Sequence, residues 1–322
     1  MIVHLFEDEK FVDATIINFE KVSVGLNRYI IFSNKQDLKY VTSKEEVLVL
    51  PNSSYNLDLD LIYKDCKLLV IHFLTPIKLY VIKNKPKHVK VLWSVWGGDA
   101  YDHFTQQDFF EQLTLNIRKE SLYQSFRLSK LYDFYHLLRY RVKPLRKELD
   151  TLRQIEFLST VLPYEFEIIK QEFNLTATYV EYNYSINDFN SSLSVNLGDS
   201  VLIGNSATFS NNHLDIFEII KSTNRKLVVP LNYGPFGYKD YKARIIFEGN
   251  RLFKDNFYAI ESFLPTQEYN QILMSCNTMI MYHIRQQALG NIYMALYLGM
   301  RVFLNKKSIT YKYMNNIGMI IF

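Results

Sequence analysis

The chain reads as an α/β protein built of two Rossmann-like domains with parallel sheets. Three observations predict this. Its 322 residues are enough for two domains. Hydrophobic residues make up 48% and charged residues 22%, a balance that fills a substantial core and excludes a disordered chain. Short apolar runs alternate with stretches of helical periodicity along most of the length, the pattern of parallel strands covered by helices.

The elements follow in order. Met1 to Phe6, Tyr29 to Phe32, Val47 to Leu50, Leu68 to Leu74 and Lys90 to Val95 are apolar runs that predict strands. Between the first two, Lys10 to Val22 places Phe11, Ile16 and Phe19 at a helical period. Ile155 to Val161 predicts another strand, and Pro163 suits the first turn of the helix after it. Ser185 to Asp199 is rich in Ser, Asn and Asp and predicts a linker, which divides the chain into domains 1–188 and 189–322. Beyond it the alternation resumes, with strands at Ser200 to Ile203, Lys226 to Pro230, Tyr258 to Ile260, Thr278 to Tyr282 and Arg301 to Leu304. Helices are predicted at Leu214 to Lys221, Lys239 to Gly249, Thr266 to Ser275 and Ala288 to Leu298, the last followed by Gly299 where a positive φ ends a helix.

Composition narrows the class. With 11 Gly and 8 Pro the chain is not collagen-like, linker-like or low-complexity. Cys66 and Cys276 lie far apart and form no ligand cluster, which predicts neither a disulfide framework nor a zinc module and fits a reducing compartment. The start, MIVHLFEDEKF, lacks the basic and apolar regions of a signal peptide. The most apolar stretch, Leu68 to Ile82, is broken by His72, Pro76 and Lys78, so any membrane contact is expected to be peripheral. Asp58-Leu59-Asp60 matches the Asp-x-Asp of metal-dependent sugar transferases but lies in an acidic stretch and reads as a solvated turn. The 7 histidines form no HExxH or H-x-H pair, so no metal site is predicted.

The formal charge of +4 is unevenly spread. Residues 118–147 carry nine Lys or Arg against Glu120 and Asp133, and the rest of the chain is slightly acidic. Within this segment Leu131, Phe134, Tyr135 and Leu138 fall on one helical face flanked by Lys130, Arg139 and Arg141. The pattern suits either a helix lying on anionic lipid or a core-packed helix with solvated flanks.

In a parallel sheet, ligands bind beyond the carboxyl ends of the strands. Three loops there carry candidate chemistry. In residues 91–104, Gly97 and Gly98 allow close approach and Asp99 follows at once, with Asp102 and His103 nearby; a carboxylate there serves as general base or as a helix cap in a tight turn. In residues 201–213, Gly204, Asn205 and Ser206 lead through polar residues to Asn212 and His213 at a helix start. Such a loop holds a phosphate or is an ordinary capped turn. In residues 279–299, Tyr282 is followed by Arg285, Gln286 and Gln287, with Gly290 and Asn291 in the next helical turn. A guanidinium beside a helix N-terminus suits a diphosphate leaving group, or is a surface Arg at a capped helix. Pro230 and Tyr233 lie in a Pro/Gly turn able to enclose a sugar or base.

Taken together these loops resemble glycosyltransferase family 56, the bacterial family of the TDP-4-acetamido-4,6-dideoxygalactose (Fuc4NAc) transferase of enterobacterial common antigen synthesis. The resemblance rests on Trp93, Trp96, Gly97, Asp99 and Tyr101; on Ile203-Gly204-Asn205-Ser206 with Asn212-His213; on Val228 to Pro230 with Tyr233; and on Arg285 to Gln287 with Gly290. The segment around His72, Pro76, Lys78 and Leu79 is similar to the family's His and N-P-K-L-W region. Gly98, Ile203 and Thr75 depart from the family pattern in small ways, and family members carry a further helical segment beyond the position of Phe322. The resemblance implies a GT-B fold of two facing Rossmann domains, metal-independent hexosyl transfer without a cofactor, a nucleotide-sugar donor and an undecaprenyl-diphosphate-linked glycan acceptor. It also implies a peripheral place on the cytoplasmic face of the bacterial inner membrane.

In that scheme Asp99 is the base, and Gly97, Gly98, Tyr101, His72 and His103 lie on the acceptor side. The donor is held by Gly204, Asn205, Ser206, Asn212, His213, Pro230, Tyr233, Tyr282, Arg285, Gln286, Gln287, Gly290 and Asn291. Two alternatives remain at this stage: a GT-B enzyme with another nucleotide sugar and a capsule or glycan acceptor, or a non-catalytic binder of nucleotide sugars or nucleic acid. Nucleic acid is disfavoured because no RRM, helix-turn-helix or zinc-finger pattern accompanies the basic segment.

Overall fold

The computed structural model describes residues 1–35, 37–43, 47–104, 109–121, 126, 129–182, 198–234 and 238–322. The chain divides into two compact units, one of Met1–Thr105 and Ser129–Asp188, the other of Gln106–Leu128 and Phe189–Phe322. Most of the expected linker lies outside the described residues.

The first unit is a sheet of seven parallel strands: β1 (Ile2–Phe6), β2 (Asn27–Phe32), β3 (Val47–Leu50), β4 (Leu68–His72), β5 (Lys90–Ser94), β6 (Phe157–Ser159) and β7 (Thr178–Tyr179), in the order β3-β2-β1-β4-β5-β6-β7. Leu5 stands opposite Ile30 in β2 and Ile71 in β4, and all three are fully buried, as expected of a sheet covered on both faces. Helices Val12–Val22, Pro76–Lys83 and Glu165–Glu172 supply much of the cover. The order reverses between β1 and β4, so the loops after these two strands leave in opposite directions and open a crevice at the carboxyl edge.

The second unit has five parallel strands: β8 (Ser200–Ile203), β9 (Leu227–Pro230), β10 (Phe257–Ile260), β11 (Cys276–Met281) and β12 (Arg301–Leu304), in the order β10-β9-β8-β11-β12. Its switch point lies between β8 and β11. Helix Lys239–Phe253 runs beyond its expected end at Gly249, because that glycine serves packing rather than termination: a Cβ there would collide with the Phe257 ring. Gly299 takes φ +75 and closes helix Leu289–Tyr297 as its sequence position predicts. After β12 the chain forms helix Ile309–Asn316, and Phe322 pairs through its backbone with Val302 and Leu304.

The structure alters the reading of the basic segment and accounts for one acidic pattern. Helix Gln112–Glu120 belongs to the second unit, where the Asp215 carboxylate accepts from the Leu113 and Thr114 N–H groups at 2.9 and 3.1 Å and from the Thr114 hydroxyl at 2.6 Å. Arg118 and Lys119 therefore lie in a different unit from Lys130 to Lys147. Asp58 caps helix Leu59–Tyr63 by accepting from Asp60 N–H, which accounts for the Asp-x-Asp pattern. Among the described residues no helix is long and apolar enough to cross a membrane.

Candidate active site

At the switch point of the second unit, the loops after β8 and β11 are tied into one buried polar network. Gly204, at φ +66, makes the turn possible: a Cβ would lie 2.6 Å from Asn211 Oδ1 and 2.8 Å from His213 Nε2. Asn211 is fully buried and is the hub. Its Oδ1 accepts from Asn205 N–H at 3.0 Å and from His283 Nε2 at 2.8 Å, and its amide donates to Ser206 O at 2.8 Å and Thr208 Oγ1 at 2.9 Å. Gln287 bridges the two loops, donating to Asn205 Oδ1 at 2.9 Å and accepting from Ser210 Oγ at 2.6 Å. Asn212 donates to Tyr282 O at 3.0 Å and accepts from Glu111 N–H at 2.9 Å, so its side chain joins loops rather than capping the helix it precedes.

Two atoms of this network are buried without a partner among the described residues: His213 Nε2 and Gln286 Oε1. Burial pushes the His213 imidazole down to about 3, and burial together with Arg285 holds His283 well below the usual range, so both rings are neutral at pH 7. Beside them helix Leu289–Tyr297 starts at Ala288 with no side chain capping its first N–H groups, and half-buried Gly290 and Asn291 form its first turn. Arg285 lies just before that start. Its guanidinium donates to Gln286 O at 3.3 Å, and a helix start without a side-chain cap favours an anion. Pro230 ends β9, next to β8, while Tyr233 is 66% exposed and is tied to this loop by its carbonyl, which accepts from Ala207 N–H at 2.6 Å.

In the first unit the expected residues turn inward. Asp99 is 2% exposed, and its carboxylate accepts from Leu74 N–H at 2.9 Å, Trp93 Nε1 at 2.8 Å and Trp96 N–H at 3.0 Å. Tyr101 is also buried and donates to Glu165 at 2.8 Å. His72 is fully buried, its ring stacked 4.0 Å from Phe6 and its Nε2 3.1 Å from His4 Nδ1. The structure thus places all three inside the fold: Asp99, expected as the base, and Tyr101 and His72, expected on the acceptor side. The W-x-x-WG-x-D-x-Y pattern knots the loop after β5 to the fold, with Gly97 at φ 108 and Gly98 opening its one-turn helix. His103 stays half-buried near the edge.

The switch point itself carries residues outside that expectation. After β1, Glu7 accepts from the Thr75 hydroxyl at 2.7 Å and from Lys78 Nζ; Lys78 is fully buried and also donates to His72 O at 2.6 Å and Phe73 O at 2.9 Å. Glu9 is half-buried in the same loop, with no hydrogen bond to its carboxylate among the described residues. Burial and the neighbouring Glu7 raise its pKa above the ordinary glutamate range.

A family model described as 4-alpha-L-fucosyltransferase, glycosyl transferase group 56, matches residues 110–322. The chain belongs to glycosyltransferase group 56. Solved structures share its fold at low identity. The Anabaena protein Alr3699/HepE, solved with UDP, is 10% identical with a TM-score of 0.61, over 97% of this chain and 82% of its own. OtsA is 8% identical with a TM-score of 0.59, over 99% and 88%. The lipopolysaccharide outer core galactosyltransferase WaaB is 10% identical with a TM-score of 0.55, over 94% and 80%. The fold is GT-B. No curated protein matches the sequence.

The buried network also contains residues that sequence reasoning passed over. Asn211, His283, Thr208 and Ser210 complete the network around Gly204 to Ser206 and Gln287, and the run SATFSNN is the signal for three of them: short polar side chains, interrupted by Ala207 and Phe209, soon after a buried strand. His283 gives no such signal, since one histidine after a strand looks like any other. Among the described residues no three His, Cys, Asp or Glu side chains are grouped as metal ligands.

Proposed function

We propose that this glycosyltransferase binds a nucleoside-diphosphate sugar at the β8/β11 switch point and transfers the sugar to a hydroxyl of a lipid-diphosphate-linked glycan. The observation that carries this reading is the junction of loops there. Gln287 ties the β8 loop to the β11 loop directly beside Arg285 and the uncapped helix Leu289–Tyr297. A diphosphate at that helix start meets N–H donors and a guanidinium, which compensate the charge that grows on the leaving group and support transfer without a metal or other cofactor. His213 Nε2 and Gln286 Oε1, buried in the same region without a partner among the described residues, are polar atoms a donor could engage on a small shift of these loops.

The family description and the UDP held by the Alr3699/HepE relative support a nucleotide-sugar donor. A deoxy-amino sugar of the Fuc4NAc type carried on TDP, and an undecaprenyl-diphosphate-linked acceptor in bacterial surface polysaccharide synthesis, are the choices we favour. Their setting would be the cytoplasmic face of the inner membrane, with the protein held there peripherally.

In an inverting transfer the acceptor oxygen bonds to the anomeric carbon as the bond to the diphosphate breaks, and a base takes the hydroxyl proton. Asp99 was expected in that role, but its oxygens are committed to three donors. Glu9, at the switch point of the first unit and free of such donors among the described residues, is the base in this proposal. A screen of TDP- and UDP-sugars with mass-spectrometric detection of product and free nucleotide tests the reading. The wild type should release nucleotide only with donor and acceptor together. Glu9→Gln should lose at least about 100-fold in turnover while keeping nucleotide affinity. The elevated pKa also places the acidic limb of the rate profile above the usual glutamate range, with activity falling as pH drops through it. No turnover with any of these sugars would remove the proposed donor; full activity in Glu9→Gln would remove the base.

A further inference from the structure

Helix Lys130–Tyr140 of the first unit carries its apolar residues on the side that faces solvent. Its inward side is His136, 4% exposed, whose ring packs 4.4 Å from Tyr132 and 5.7 Å from Tyr140. The opposite side presents Leu131, Phe134, Tyr135 and Leu138, which are 69%, 59%, 44% and 50% exposed. A helix on a soluble surface ordinarily reverses this arrangement, apolar side inward. The core-packed alternative left open by the sequence is therefore excluded.

The charges around this face share one sign. Residues 129–147 contain six Lys or Arg and a single acid, Asp133, which Lys147 neutralises. Lys130, Arg141 and Lys143 are exposed beside the apolar residues, and Arg139 is partly engaged with Asn52 O. Below the face, Ser54 fastens the helix by donating to Arg139 O at 3.2 Å.

We propose that this face docks on an anionic lipid surface, with Leu131, Phe134 and Leu138 entering the boundary between headgroups and acyl chains and Lys130, Arg141 and Lys143 reaching lipid phosphates. Exposed apolar area supplies the insertion and the surrounding positive charge selects anionic over neutral lipid. The inference rests on the membrane placement in the proposed function and gives it a surface. Vesicle binding involves no turnover, so it can fail while the transferase reading stands.

The test is co-sedimentation of the full chain with vesicles of phosphatidylcholine alone and of phosphatidylcholine mixed with phosphatidylglycerol. The wild type should bind the mixed vesicles, weaken with added salt, and ignore the neutral ones. Phe134→Ser with Leu138→Ser should lower partitioning roughly 10-fold or more. Lys130→Glu with Lys143→Glu should do the same, each Lys counting for a factor of about five. All four positions are solvent-exposed, and thermal melts superimposing on the wild type establish that the variants fold. Equal binding to both vesicle types, or binding that both double variants retain, overturns the proposal. So does finding that the face instead drives self-association or RNA capture, each lost in the same variants.

Discussion

A buried carboxylate persists as an anion only where donors replace the water it has lost, and Asp99 has three of them. Burial raises its pKa and these bonds oppose the rise. Asn at this position offers one acceptor oxygen and turns an NH2 toward groups that are themselves donors, so at least one buried N–H loses its partner. Asp99→Asn should cost about 2–3 kcal/mol of stability in denaturant titration, with nucleotide affinity in the second unit unchanged. Wild-type stability would contradict the structural assignment. The Gly-Gly-Asp after a strand was visible in the sequence, but the direction of its carboxylate was not. That direction depends on Trp93 and Leu74, whose approach is a matter of strand pairing and not of local pattern. Glu9 was hidden for the converse reason: one acid in an acidic stretch carries no signal until the sheet order places β1 at a switch point.

The elements themselves were largely legible, because strands buried on both faces are continuous apolar runs. Ser200–Ile203, Val47–Leu50 and Arg301–Leu304 fall where the sequence placed them. Boundaries slipped where tertiary packing overrides local preference. Helix Lys239–Phe253 continues through Gly249 because the Phe257 ring occupies the space of its missing side chain. Gly249→Ala should therefore overpack this contact and destabilise the protein by about 1–3 kcal/mol, despite alanine's better helix propensity. A stabilised variant would show instead that Phe257 moves aside without cost. The same limit explains helix Gln112–Glu120: its assignment to the second unit depends on Asp215, about a hundred residues further along, a pairing that no reading of adjacent residues contains.

At the scale of the whole molecule, the buried histidines set the acid response. Burial lowers His4 to about 4 and His213 to about 3, and His72 and His283 also lie well below the ordinary value. Between those values and the unfolded value of about 6.5 the unfolded chain binds more protons, so stability is fully present above about pH 6.5 and declines as pH falls below it. The raised carboxyls of Asp99 and Glu9 act in the opposite sense, adding stability as pH falls through their raised values. Thermal melts should be level above pH ~7 and fall progressively toward pH ~5. Melting temperatures that rise over this interval would mean that the imidazoles are not buried as described.

Donor recognition in this account is concentrated in the second unit, where Arg285 stands at the start of an uncapped helix and Gln287 joins the loops around it. Calorimetric titration with TDP and UDP measures that directly, with no need for acceptor or membrane. The wild type should bind a nucleoside diphosphate, and Arg285→Ala should bind it roughly 10- to 100-fold more weakly, the loss of a charged hydrogen-bonding partner to phosphate. Equal affinity in wild type and variant would contradict the placement of the diphosphate at the β8/β11 switch point.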